Sequence, residues 1–211
     1  MNNYAQVIVE GAVSGDLRYY KATRGGEEAG GSLEFQVDDG TEVIKVRCYD
    51  DATRELIKER KIPAIGDKVV IHGTFQSRGR SESLILGSTY GLTISRKRPD
   101  TVTASSEISV LLSKDETQTE GILIEGKLIS SAYNRFRMEF MIDDGSGGTI
   151  LAYLPGGVLD ALGISEGAGT WEGMPQSGDL TRISGVPVPE RGKNAGFSIA
   201  VAMPEDIRKV Q

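Results

Sequence analysis

The sequence predicts an all-β protein of two tandem five-stranded Greek-key barrels, each with a short helix between its third and fourth strands. Three observations carry this expectation. Phe35-Gln36-Val37-Asp38-Asp39-Gly40 returns later in the chain as Phe140-Met141-Ile142-Asp143-Asp144-Gly145. Two further signatures return in the same order: Val9-Glu10-Gly11 as Ile124-Glu125-Gly126, and Gly66-Asp67 with Gly73 as Gly178-Asp179 with Gly185. The 27 glycines and many short apolar runs favour strands and frequent turns over long helices. Each signature alone is a common turn pattern, but three in one order mark an internal repeat.

Taken in order, residues 6–13 alternate as a strand, with Val7, Val9 and Val13 on one face and Gly11 as a bend. Residues 14–31 hold Arg18-Tyr19-Tyr20-Lys21 and a Gly-rich stretch, and read as a long loop or a hairpin. Strand 2 covers about 33–38, with Leu33, Phe35 and Val37 inward. After the Asp-Asp-Gly turn, strand 3 covers 43–49. Ile44, Val46 and Cys48 take its inward parity, and Lys45, Arg47 and Tyr49 take the outer one. Residues 51–61 switch to helical spacing, with Asp50 or Asp51 placed to cap. Strands 4 and 5 follow at 68–75 and 84–94, around the cationic loop Arg78-Gly79-Arg80.

Strand, strand, strand, helix, strand, strand is the order of the OB-fold. The second copy has a first loop about ten residues shorter and a longer, Gly-rich stretch at 156–178 containing a short helix near 158–162 and Trp171. Its strand 3, 149–154, puts Leu151 where the first copy has Lys45, and Tyr153 where it has Arg47. The expected organisation is barrel 1 at 1–98, a linker and lead-in segment at 99–118, and barrel 2 at 119–211. Arg96-Lys97-Arg98 reads as part of a soluble linker.

Charge divides unevenly. Residues 1–99 carry 15 basic and 14 acidic side chains, and residues 100–211 carry 9 and 16, within a net charge of −6. A local basic groove can still bind phosphate on such a protein, because salt screens charges beyond about 10 Å. The single cysteine, Cys48, excludes an intrachain disulfide. No apolar run reaches the roughly 18 residues that would span a bilayer, and no signal pattern opens the chain, so a cytoplasmic location is the expectation.

Catalysis finds little support. The one histidine, His72, lies in a strand beside a glycine, and Cys48 takes core parity. No Cys/His spacing suits a metal, and no phosphate loop, dinucleotide motif or hydrolase elbow is present. The Asp-Asp pairs read as turns, because adjacent carboxylates on a strand point to opposite faces. The expectation is a protein without catalytic residues, metal or cofactor.

Single-strand binding is better supported. It needs cations for phosphates and aromatic faces for bases. On this fold the groove crosses strands 2 and 3, flanked by the 1–2 and 4–5 loops. Arg18, Tyr19, Tyr20, Lys21 and Arg24 fall in the first loop, with one tyrosine free to cover the barrel end instead. Lys45, Arg47 and Tyr49 fall on strand 3, and Phe75, Arg78 and Arg80 around the 4–5 loop. In barrel 2 the matching set is Tyr133, Arg135, Phe136, Arg137 and Tyr153. Phe75 and Phe136 read as core more readily than as contacts, and Trp171 as a lid on the second core.

Two tandem units of this kind, with Val46-Arg47-Cys48-Tyr49-Asp50-Asp51 closing strand 3 before a helix, resemble the single-stranded-DNA-binding proteins of the replication protein A type. The resemblance covers nearly the whole chain in architecture and short motifs in sequence. It implies non-catalytic binding of single-stranded DNA, with RNA as the alternative ligand, and a role in DNA replication or repair. The rival expectation is a protein-interaction or dimerisation module that uses the acidic second barrel, since OB barrels also bind proteins.

Overall fold

The computed structural model describes residues 3–24, 27–78, 81–104, 107–108, 121–134, 136–164, 169–190 and 196–210. They form two units that divide between Arg96 and Lys97.

In the first unit, β1 (Asn3–Val13), β2 (Arg18–Arg24), β3 (Glu27–Asp38) and β4 (Val43–Tyr49) lead into α1 (Asp50–Lys58). Then follow β5 (Lys68–Arg78), β6 (Ser81–Leu86) and β7 (Leu92–Ser95). The strands run β1-β3-β4-β6-β5, and β5 pairs back onto β1, which closes the sheet. The β4–β6 pair is parallel. β1 serves two partners: Ala12 and Val13 face β3, while Asn3 to Ala12 face β5. Gly11 sits at the changeover, where a Cβ would lie 2.3 Å from the Asp38 carbonyl oxygen. Only glycine admits that approach of two backbones.

The second unit repeats the circuit with β8 (Ile122–Asn134), β9 (Arg137–Asp143), β10 (Thr149–Pro155), α2 (Gly156–Ala161), β11 (Leu180–Pro189), β12 (Phe197–Ala200) and β13 (Ile207–Lys209). Its order is β12-β10-β9-β8-β11, closed by β11 on β12, with β10–β12 parallel. Gly126 repeats Gly11, its Cβ position 2.4 Å from the Asp143 oxygen. The protein is thus all-β, two tandem OB-fold barrels, each with its helix between strands 3 and 4.

The cores follow the predicted parity. Leu33, Phe35, Val37, Val46 and Cys48 are buried in the first barrel, and Met138, Phe140, Ile142, Ile150 and Ala152 in the second. Both Asp-Asp-Gly segments are turns: Asp38 Oδ1 accepts from Gly40 N at 2.8 Å, and Asp143 Oδ1 from Gly145 N at 2.8 Å.

Several local expectations change. Of the loop and the hairpin expected over 14–31, the described residues form the hairpin, with β2 paired along β3 where β1 has left it. The N-cap of α1 is Tyr49, without a side-chain cap; Asp50 and Asp51 lie in the first turn, where they suit the helix dipole. Strand 5 is broken by a 3-10 turn at Thr89–Gly91, which lets the chain pass from the far half of β5 to its near half, Lys68 to Ile71. Of the segment 99–118, Val102 bridges Leu123, and most of the rest lies outside the described residues. Arg96 and Arg98 bind within their own units: Arg96 Nη2 lies 2.6 Å from buried Asp67, and Arg98 Nε 2.6 Å from buried Asp206. No helix among the described residues is long and apolar enough to cross a membrane.

Candidate nucleic-acid interface

Residues directly opposite in an antiparallel pair share a face, about 5 Å apart. The register of β2, β3 and β4 therefore lays the outer face of the first barrel out in rows. Arg18, Glu34 and Arg47 make one row. Tyr20, Ser32 and Tyr49 make the next. Gln36 and Lys45 lie on the other side of Glu34. The pairing of β2 thus joins residues of the predicted loop and of strand 3 into one surface. Tyr20 is 50% exposed and Tyr49 is 44% exposed.

The centre of this face holds a residue that the groove expectation omitted. Glu34 is only 9% exposed. Arg47 Nε donates to its Oε2 at 2.9 Å, and Lys45 Nζ lies 3.5 Å from its Oε1. The hydrogen bond from Arg47 to Glu34 is the main reason that the guanidinium holds its proton more firmly than usual. The predicted cations are thus partly neutralised by one carboxylate. The sequence carried a signal, since a Glu precedes the Phe of both repeat copies, as Glu34-Phe35 and Glu139-Phe140.

Other predicted residues lie apart from these rows. Tyr19 and Lys21 have the opposite parity on β2, opposite Leu33 and Gly31. The Tyr19 ring packs on Gly31, where a Cβ would lie 2.7 Å from it. Phe75 is half-buried opposite buried Leu84, on the inward side of β5. Arg24 and Arg78 end β2 and β5, and their side chains are outside the described set, as are Arg80 and Arg135.

The second barrel builds the same rows from other side chains. Glu139 faces Tyr153, Met141 faces Leu151, and Arg137 faces Pro155. Arg137 Nε donates to Glu139 Oε1 at 2.7 Å, and its Cζ lies 4.9 Å from the Tyr153 ring centroid. Tyr153 is 5% exposed, so its ring is covered here. Tyr133 takes the inward parity, opposite buried Met138, and its ring lies against Gly169. Phe136, at the tip of the β8–β9 hairpin, is 79% exposed. Trp171 meets Phe140 edge-on, ring centroids 6.0 Å apart, which makes it a cover on the second core.

Cys48 is buried, and burial pushes its thiol up from the ordinary value. Among the described residues, no group of three or more His, Cys, Asp and Glu is arranged to hold a metal ion.

No protein-family model matches the chain, and no curated protein matches it. Solved structures do share similarity. Fission yeast Pot1 with ssDNA has 12% identity and a TM-score of 0.35, over 100% of this chain and 85% of that one. The replication protein A heterotrimer bound to ssDNA has 11% identity and a TM-score of 0.39, over 92% of this chain and 47% of that one. The tetrameric p202 HIN2 structure has 9% identity and a TM-score of 0.34, over 100% and 97%.

Proposed function

We propose that the protein binds single-stranded nucleic acid without catalysis, DNA in preference to RNA, through the outer face of its first barrel. One observation carries the proposal: Tyr20 and Tyr49 stand exposed on either side of Ser32, next to a row that holds Arg18 and Arg47. Aromatic rings accept bases of any sequence, and the cations beside them serve the backbone. Lys45 and Arg47 share Glu34, so the phosphate term is modest and stacking supplies most of the affinity. Loss of one stacking ring costs about 1–3 kcal/mol.

The test is a titration of a labelled oligothymidylate at several salt concentrations. Tyr49→Ala and Tyr20→Ala are each expected to weaken binding by about 5- to 150-fold. Tyr153→Ala is expected to weaken it far less, because that ring is already covered. Wild-type protein that binds no single strand even at low salt would remove this reading.

A second reading has its own observation. Met141 and Leu151 face each other on the second barrel, where the first has Gln36 and Lys45. That more apolar surface suits a protein partner or a second copy of the chain. Sedimentation would show self-association lost in Leu151→Lys; a wild-type monomer at all concentrations refutes the second-copy form.

A further inference from the structure

A carboxylate at the centre of a cationic and aromatic face opposes any phosphate brought over it. Glu34 occupies that centre. It lies between Arg18 on β2 and Arg47 on β4, one row from both exposed tyrosines, and it is held by Arg47 at 2.9 Å and Lys45 at 3.5 Å. Its burial and two cationic partners keep it in place when a ligand arrives.

We infer that Glu34 is a specificity-determining residue that makes the face admit bases and reject phosphates, and so separates single strands from duplex; this rests on the nucleic-acid reading above. A single strand can turn its bases inward, onto Tyr20 and Tyr49. Base edges then lie over Glu34, and the exocyclic amino groups of cytosine and adenine are donors that a carboxylate accepts. The strand's phosphates stay at the margins. A duplex has its bases paired inside and presents its charged backbone to any flat protein surface. Its phosphates would be brought over the centre, where Glu34 repels them and has already engaged the two nearest cations. The same carboxylate is thus neutral or favourable to one ligand and unfavourable to the other.

The experiment measures, with the intact chain at one fixed salt concentration, the affinity for a mixed-sequence single strand and for a hairpin duplex of the same length. Glu34→Gln keeps the shape and removes the charge. It is expected to raise duplex affinity about fivefold, the size expected for removing one charge several ångströms from phosphate at the surface. Single-strand affinity should move by less than about twofold, so the ratio of the two falls. Gln36→Glu, at an exposed position two residues along the same face and opposite Lys45, is the converse: it adds a second carboxylate beside the Lys45 ammonium, leaves the Arg47–Glu34 hydrogen bond in place, and should raise the ratio. This second variant keeps the inference testable if Glu34→Gln folds poorly. A wild type that binds both ligands with a ratio unmoved by either substitution overturns the role of Glu34 alone. A wild type that binds neither ligand overturns the nucleic-acid reading and this inference with it.

Discussion

The two barrels share a backbone and differ in what they place on it. Gly11 and Gly126 permit the same close approach of strand 1 to strand 2, and Gly73 and Gly185 the same approach of strand 4 to strand 5. Glu34 and Glu139 occupy matching positions before the core phenylalanines. Opposite that glutamate, however, the first barrel has Arg47 and the second has Tyr153. The consequence is geometric. In the first barrel Arg47 binds Glu34 and also reaches Tyr49, which stays 44% exposed. In the second, Arg137 bridges Glu139 and covers Tyr153. An aromatic on the outer parity of strand 3 is therefore exposed in one copy and part of the packing in the other.

The strongest way to probe this comparison is to remove the matching core rings. Phe35 and Phe140 are each fully buried, and truncation of either to Ala should cost about 3–5 kcal/mol. Phe140→Ala also strips the edge contact to Trp171, worth about 0.5–1.5 kcal/mol beyond area. The second barrel should thus suffer more. Urea unfolding checks this directly, because the single tryptophan reports the second barrel and circular dichroism reports both. Equal losses, or a fluorescence transition displaced by Phe35→Ala as far as by Phe140→Ala, would mean that the barrels unfold as one unit.

Much of this design was legible in the chain itself. Strand 3 of the first barrel was expected at 43–49 and runs Val43–Tyr49, because strict alternation between an Asp-Asp-Gly turn and a helix leaves one register. The repeated glycines announced the circuit because each meets a demand only glycine satisfies. What escaped was tertiary. The arm strand β2 is polar, and of the loop and hairpin expected there the hairpin forms because β3 offers a free edge. Arg96 and Arg98 read as linker charges, since their partners Asp67 and Asp206 lie far away in sequence. Alternation placed Tyr153 on the outer face correctly, but it carries no information about Arg137 folding over the ring.

A smaller contrast lies in the Gly-Asp turns. Asp67 accepts from Ala64 N at 2.9 Å, and Asp179 accepts from Gln176 N at 2.9 Å. The C-terminal end of each barrel brings the cation: Arg96 makes two hydrogen bonds to Asp67, and Lys209 Nζ lies 2.7 Å from Asp179. Asp67 is buried, so Asp67→Ala strands a largely buried guanidinium and should cost about 3 kcal/mol. Asp179→Ala should cost less, since its partner Lys209 is 58% exposed and water can solvate the freed ammonium. The Lys209 hydrogen bond, then Gln176 N, holds the Asp179 carboxyl below the usual value of 3.8. A depressed folded-state pKa contributes stability that is present above the ordinary carboxylate range and is lost as pH falls through the lower, folded value. Acid titration of wild type and Asp179→Ala should therefore converge in stability below that range and diverge above it.

The finest test concerns how each helix ends. In the first barrel Arg60 N donates to Ile57 O at 3.0 Å and Lys61 N to Leu56 O at 2.9 Å. In the second, Gly163 N donates to Asp160 O at 3.1 Å and Ile164 N to Leu159 O at 2.8 Å. Both are Schellman ends, which need a left-handed residue after the C-cap. Gly163 has φ +71° and adopts it freely, whereas Arg60 is held at φ +53° against the preference of an L side chain. Gly163→Ala should destabilise the second barrel by about 1 kcal/mol, since nothing but backbone conformation opposes the new methyl. Arg60→Gly should stabilise the first by less than that, because glycine also loses more freedom on folding and the arginine makes side-chain interactions of its own. Opposite signs in thermal unfolding would show that the two barrels solve one geometric problem with unequal strain. A destabilised Arg60→Gly would mean that the contacts of Arg60 outweigh its backbone cost, and that the first barrel retains the arginine for what it touches.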